Sequence, residues 1–130
     1  MKLLIDTSVF LWFVADSDRL PGRTRTALRD PDVRVWLSVA SVWEIAVKQQ
    51  LGRLTLPEPA WPYVTRLRER HGIDSLAIEE AALAHLVKLP DVHRDPFDRM
   101  LVCQAIEHDM LLVTKDEQVQ KYPVKTLWLA

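Results

Sequence analysis

Four carboxylates, Asp6, Glu44, Asp98 and Asp116, stand where an apolar element ends or a helix begins. Acids so placed, far apart in the chain, are what a hard divalent cation needs if the fold gathers them. Leu3-Leu4-Ile5-Asp6-Thr7 reads as a short buried strand that finishes on an acid and a hydroxyl, and Leu111-Leu112-Val113-Thr114-Lys115-Asp116 repeats the pattern near the other end. In an open parallel α/β sheet, ligands bind beyond the carboxyl ends of the strands, so both acids should face one crevice. Four clustered carboxylates would repel one another strongly without a cation. A donor set of oxygens alone, with a single Cys in the chain and no well-spaced His pair, favours Mg2+ or Mn2+ over zinc.

Each acid also has a purely structural use. Ser41-x-x-Glu44 matches a capping box, and Asp95-Pro96-Phe97-Asp98 matches an N-cap, a proline at the first helical position and an acid in the first turn. Asp116 could open a turn before Glu117. Asp6 has no helix dipole to serve unless a helix starts directly after its strand. Strand ends and helix starts meet at one sheet edge in this topology, so capping acids and crevice acids can be the same residues. Asp95 competes with Asp98, since a spacing of three puts both on one helix face. Asp95 is expected to spend its carboxylate on first-turn amides, leaving Asp98 for the crevice.

Positioning these residues requires alternating strands and helices. Further strands are predicted at Val33 to Ser38, Ser75 to Ile78 and Val124 to Leu127, and helices at Ser41 to about Gly52, Glu58 to Arg70, Ile78 to Lys88 and Pro96 to about Glu107. Strands separated by helices imply parallel pairing with right-handed crossovers. The expected fold is a three-layer α/β/α sandwich around a central, mainly parallel sheet of about five strands. At 130 residues, 48% hydrophobic and 27% charged, with no Ser/Gly tract or repeat, the chain is expected to form one domain over 1–130. No apolar run approaches membrane-spanning length and the N-terminus does not read as a secretory signal, so no membrane partner and a cytoplasmic location are expected. Cys103 sits in an apolar helical context as a core thiol.

Charge is less informative. Seventeen Lys and Arg against eighteen Asp and Glu leave a net charge of -1, without the basic excess that announces a nucleic-acid binder. If acids concentrate in one pocket, the rest of the surface is net basic, with Arg19 to Arg29, Arg66 to Arg70 and His93-Arg94 as candidate rims, the alternative for each Arg being a solvated helix face. Among five tryptophans, Trp36 and Trp43 read as core. Trp12, in the very apolar Phe10-Leu11-Trp12-Phe13-Val14, reads either as packing within the monomer or as lining an interface.

The blocks Leu3-Leu4-Ile5-Asp6-Thr7-Ser8-Val9, Ser41-Val42-Trp43-Glu44-Ile45, His93-Arg94-Asp95-Pro96-Phe97-Asp98-Arg99-Met100-Leu101 and Leu112-Val113-Thr114-Lys115-Asp116 resemble the motif blocks of PIN-domain ribonucleases of the VapC type, the toxic halves of type II toxin–antitoxin pairs. The resemblance spans almost the whole chain, with the blocks in the family's order. It implies a PIN-like fold and a metal-binding quartet of Asp6, Glu44, Asp98 and Asp116, with the Thr7 or Thr114 hydroxyl supporting a ligand or a water. Two departures stand out: Ser8 replaces the His or Asn of many relatives, and the last block reads Thr-Lys-Asp where others have Thr-Arg-Asn followed by a later acid.

The same resemblance implies a metal-dependent endoribonuclease. Asp6 and Asp98 would hold the principal ion, Glu44 and Asp116 would orient water or a second ion, and the products would carry 5′-phosphate and 3′-hydroxyl ends. Thr7, Ser8, Arg94, Arg99 and Lys115 are candidates for contact with the RNA backbone, Arg99 alternatively pairing with Asp95 on its helix. Flexible RNA suits such a crevice better than a duplex. The implied partners are RNA, a cognate antitoxin and a second copy of the chain, as a homodimer or a toxin–antitoxin hetero-oligomer. A PIN-like RNA-binding or scaffold module without activity is the alternative, and it predicts loss of one or more of the four acids. Haloacid-dehalogenase and receiver domains also end their first strand on Asp, but the former needs a second Asp where Ser8 stands and the latter an acidic pair near that strand's end.

Overall fold

A strand whose Leu3, Leu4 and Ile5 are all fully buried is threaded through the middle of the sheet. Lys2–Ile5 (β1) pairs in parallel with Arg34–Ser38 (β2) on one side and with Leu111–Val113 (β4) on the other. Asp74–Leu76 (β3) and Thr126–Leu127 (β5) complete the edges, giving an all-parallel sheet in the order β3-β2-β1-β4-β5. The computed structural model describes residues 1–92 and 95–130.

Burial follows the two-residue period of a strand. Leu3 and Ile5 point into one core with Val35, Leu37 and Val113, while Leu4 points into the other with Leu112. The first core is closed by Thr7–Val14 (α1), Gly22–Leu28 (α2), Val39–Gln50 (α3) and Ala60–Arg70 (α4), through Phe10, Leu28, Ile45 and Val64. The second is closed by Pro96–Glu107 (α6), through Leu101, Val102 and Ala105, with Val119 and Tyr122 beside them. Three layers result, as the alternation of elements requires. Cys103 is buried in α6.

Several boundaries differ from expectation for local reasons. α3 begins at Val39, because Ser38 at the end of β2 already accepts from the Ala40 amide at 2.9 Å. The capping box read at Ser41 is therefore not formed, and Glu44 lies within the helix, buried. Gly52 and Gly72 end α3 and α4 with φ of 72° and 66°, the left-handed conformation that glycine adopts without a Cβ penalty. α4 starts two residues later than expected, where Gln49 of α3 supplies the cap: its Oε1 accepts from the Ala60 amide at 2.8 Å and its Nε2 donates to Glu58 O at 2.9 Å. The helix expected over Ile78 to Lys88 breaks into Glu80–Leu83 (α5) and a single 3-10 turn at Leu86–Lys88. α2 occupies part of the basic Arg19 to Arg29 stretch, with Thr24 and Leu28 turned inward. α6 has the bounds its Asp95-Pro96 start signal predicts.

Trp43 is not a core residue. It is 60% exposed on α3 and packs edge-to-face on Phe97 at a centroid distance of 5.0 Å. Trp36 is half-buried, with the Arg34 guanidinium 4.7 Å from its ring centre.

Candidate functional site

The chain runs β1 to β2 to β3 outward in one direction and then returns to β4 and β5 on the other side of β1. The switch point lies between β1 and β4, where an open α/β sheet forms its crevice. A cleft of about 450 Å3 opens there, lined by Asp6, Thr7, Ser8, Trp12, Glu44, Lys48, Asp95, Asp98, Lys115 and Asp116. The four acids Asp6, Glu44, Asp98 and Asp116 thus share one cavity with Asp95, which is also the N-cap of α6.

Asp6 leaves the end of β1 and caps α1, its Oδ1 accepting from the Val9 amide at 2.8 Å. Thr114, fully buried at the end of β4, hydrogen-bonds the Asp6 carboxylate and accepts from the Asp116 amide at 3.0 Å. Burial is the main force on Asp6. It pushes the carboxyl from 3.8 up to about 6, the negative charges of Glu44 and Asp116 add to the rise, and the bonds from Thr114 and Val9 oppose it. Asp116 also forms a turn, accepting from the Gln118 amide at 2.8 Å, so the turn reading and the cleft reading both hold.

Glu44 reaches the cleft from α3 and is only 4% exposed. Its Oε1 lies 2.6 Å from Thr7 Oγ1, which also shares a hydrogen bond with Ser41 Oγ at 2.9 Å. Its Oε2 accepts from Lys48 Nζ at 2.5 Å. Asp95 accepts from the Phe97 amide at 2.9 Å, the N-cap bond expected of it, and Asp98 sits in the first turn of α6 facing the cleft.

Of the remaining candidates among the described residues, three belong here and one does not. Thr7 is buried against Glu44, while Ser8 and Lys115 are exposed at the cleft mouth. Arg99 turns away, a correction to its expected contact with RNA. It donates to Tyr122 Oη at 3.2 Å and Pro90 O at 3.3 Å, tying α6 to the neighbouring turns. Arg94 lies outside the described residues. Two further residues join the site, Lys48 and Ser41, the latter expected only as a helix cap; the spacing Glu44-x-x-x-Lys48, about one helical turn, is the sequence signal for the former. Trp12 forms a wall of the cleft and packs edge-to-face on Trp128 at 6.4 Å.

Among the described residues, no three acidic, His or Cys side chains converge into a ready-made metal cage. The donor chemistry nevertheless fits a hard ion. Mg2+ keeps several waters and takes one or two carboxylates rather than a closed protein shell, and a cation bound at Asp6 would offset both the burial that chiefly raises its carboxyl and the smaller push from Glu44 and Asp116.

The PIN domain profile matches residues 3–125. Ribonuclease VapC22 of Mycobacterium tuberculosis (strain ATCC 25618 / H37Rv) is 31% identical over 133 residues, covering 97% of this chain and 98% of that protein. The chain belongs to the PIN-domain family of VapC-type ribonucleases. Two solved structures share the PIN fold at low identity. VapBC2 from Rickettsia felis, bound to a DNA fragment from its promoter, aligns with a TM-score of 0.75 at 11% identity over 100% of both chains. VapBC-1 from nontypeable Haemophilus influenzae aligns at 0.67 and 18%, over 98% of this chain and 97% of that one. VapC-type PIN nucleases are typically metal-dependent. No helix among the described residues of this PIN domain is long and apolar enough to cross a membrane.

Proposed function

We propose that this VapC-type ribonuclease is the toxin of a toxin–antitoxin pair and hydrolyses RNA phosphodiester bonds with Mg2+, or Mn2+ in its place. The observation that carries the reading is the meeting of Asp6, Glu44, Asp98 and Asp116 in one cleft at the ends of β1 and β4. A non-catalytic scaffold has no need to retain all four. Asp6 and Asp98 would hold the ion, with Asp116 beside them. The ion, when bound, supplies a water acidic enough to attack at neutral pH and charge to offset the phosphoryl oxygens.

The chain's own residues do the rest. Thr114 fixes the Asp6 carboxylate, so the ligand is held rigid before substrate arrives. Thr7 and Lys48 hold Glu44, which is positioned to orient a water. Ser8 and Lys115, exposed at the mouth, are placed to contact phosphate oxygens, and Trp12 walls one side. Single-stranded or looped RNA suits this cleft, because a splayed phosphate can enter where a duplex cannot.

The structural neighbours that are toxin–antitoxin complexes support a protein inhibitor for this chain too. Its recognition chemistry follows from the cleft: a peptide carrying Arg into a pocket of acids gains charge-assisted hydrogen bonds while blocking the phosphate site. A homodimer or a toxin–antitoxin hetero-oligomer in the cytoplasm is the matching assembly. The deciding experiment is cleavage of a structured RNA by metal-stripped protein with and without Mg2+ or Mn2+. Cleavage should need the ion and vanish in Asp6→Asn; full activity in excess EDTA would refute the metal-nuclease reading.

A further inference from the structure

Glu44 is one of the four cleft acids, yet both of its oxygens are already engaged by protein, one by Thr7 and one by Lys48. A carboxylate this buried is costly without a counter-charge, and Lys48 supplies one. Lys48 follows one turn along α3 and so arrives on the same helix face. This is unlike an ordinary exposed helix pair. The Glu44 side chain is 5% exposed, whereas Lys48, at 45%, spans from that buried acid to the cleft it lines. Asp95 and Asp98 also act on the Lys48 charge from across the cleft.

Two-ion nuclease sites place the second cation about 3.5–4 Å from the first, where it shares in clamping the reacting phosphate. An ammonium is a compact, strongly hydrated point charge with three N–H donors, so its bond to Glu44 does not exhaust it. We propose that Lys48 supplies, as a cation built into the chain, the charge that a second divalent ion would bring to this cleft, so that the site takes a single ion. The inference rests on the metal-nuclease reading above. It makes Lys48 a positioning residue, acting through Glu44 and the field of the cleft, and it accounts for a set of four acids that holds no three-acid cage.

Calorimetric titration of Mn2+ into the wild-type chain, Lys48→Arg, Lys48→Gln and Asp6→Asn tests it. One ion per chain is expected for the wild type and for Lys48→Arg, which keeps the charge. Lys48→Gln should bind two, and its RNA cleavage should fall at low Mn2+ and recover at high Mn2+ with a second-power rather than first-power dependence. A folded Lys48→Gln that binds one ion with unchanged affinity would overturn the role of Lys48 and leave the metal-nuclease reading standing. Should that variant not fold, the wild-type stoichiometry decides, and two ions per wild-type chain would overturn the proposal. A wild type that binds no more Mn2+ than Asp6→Asn would remove both readings together.

Discussion

Replacing Asp6 by Asn should stabilise the fold at neutral pH while abolishing cleavage. The Asp6 carboxyl is raised from 3.8 to about 6 by burial first and by Glu44 and Asp116 second, so its ionised form is less favourable in the folded state than in the unfolded chain. Below pH 3.8 the group is protonated in both states and contributes nothing. Between 3.8 and about 6 the unfolded chain gives up this proton while the folded one keeps it, so stability falls as pH rises through that window and is level above it. At roughly 1.4 kcal/mol for each pH unit of displacement, the full effect approaches 3 kcal/mol. Asp6 lies at a cleft wall and keeps some solvent, which lowers the expected gain in Asp6→Asn to about 1.5–3 kcal/mol at pH 8. Asn is as good an N-cap as Asp, so the bond from the Val9 amide survives the change. Urea unfolding of metal-stripped protein from pH 4 to pH 8 measures this directly. The two proteins should converge near pH 4 and separate as pH rises, with a melting-temperature difference on the order of 5–10 °C at pH 8. Mn2+ should then raise the wild type and leave Asp6→Asn unmoved. Equal stability at pH 8 with parallel pH profiles would refute the claim that the fold holds the Asp6 carboxylate buried at a cost.

Asp98→Asn should eliminate cleavage with little loss of stability, whereas Asp95→Ala, which removes the cap on the Phe97 amide, should cost roughly 0.5–2 kcal/mol in urea unfolding and retain turnover; reversed phenotypes would exchange the two roles. The apparent affinity for Mn2+ should weaken as pH drops below about 6, because a proton on Asp6 then competes with the ion, and calorimetry at pH 5 and pH 7.5 should differ while Asp6→Asn shows no such dependence. Expression of the chain alone should arrest a bacterial host, with relief by Asp6→Asn or by co-expression of the cognate inhibitor; arrest that persists with soluble, folded Asp6→Asn would point to toxicity by binding.

The acids of this cleft were legible from local grammar, and its cation was not. An apolar run that stops on Asp6 or on Thr114 marks a strand's carboxyl end whatever the rest of the chain does, and the alternation of elements then forces those ends to one edge. The start of α6 was equally local, because Asp95 and Pro96 carry it between them. The start of α3 was not, since Ser38 and Ser41 can both cap and only the length of the β2 ladder against β1 and β3 chooses Ser38. α3 is also apolar on nearly every side. Periodicity alone could not tell that Trp43 faces outward and Ile45 inward, a choice made by the sheet and by α4. The pair Glu44 and Lys48 is the sharper case: on an isolated helix that spacing describes a solvated ion pair worth a few tenths of a kcal/mol. Glu44 becomes a buried acid only because Thr7, 37 residues earlier, arrives at the same edge and bonds it. Arg99 shows the converse, since neighbours in a helix point about 100° apart. Once Asp98 faces the cleft, Arg99 must face elsewhere, and the Tyr122 hydroxyl and the Pro90 carbonyl are what it finds. Asp6 and Asp116 are thus placed in the cleft by strand ends and Asp98 by the start of α6, while Glu44 and the Lys48 cation beside it are placed by long-range packing.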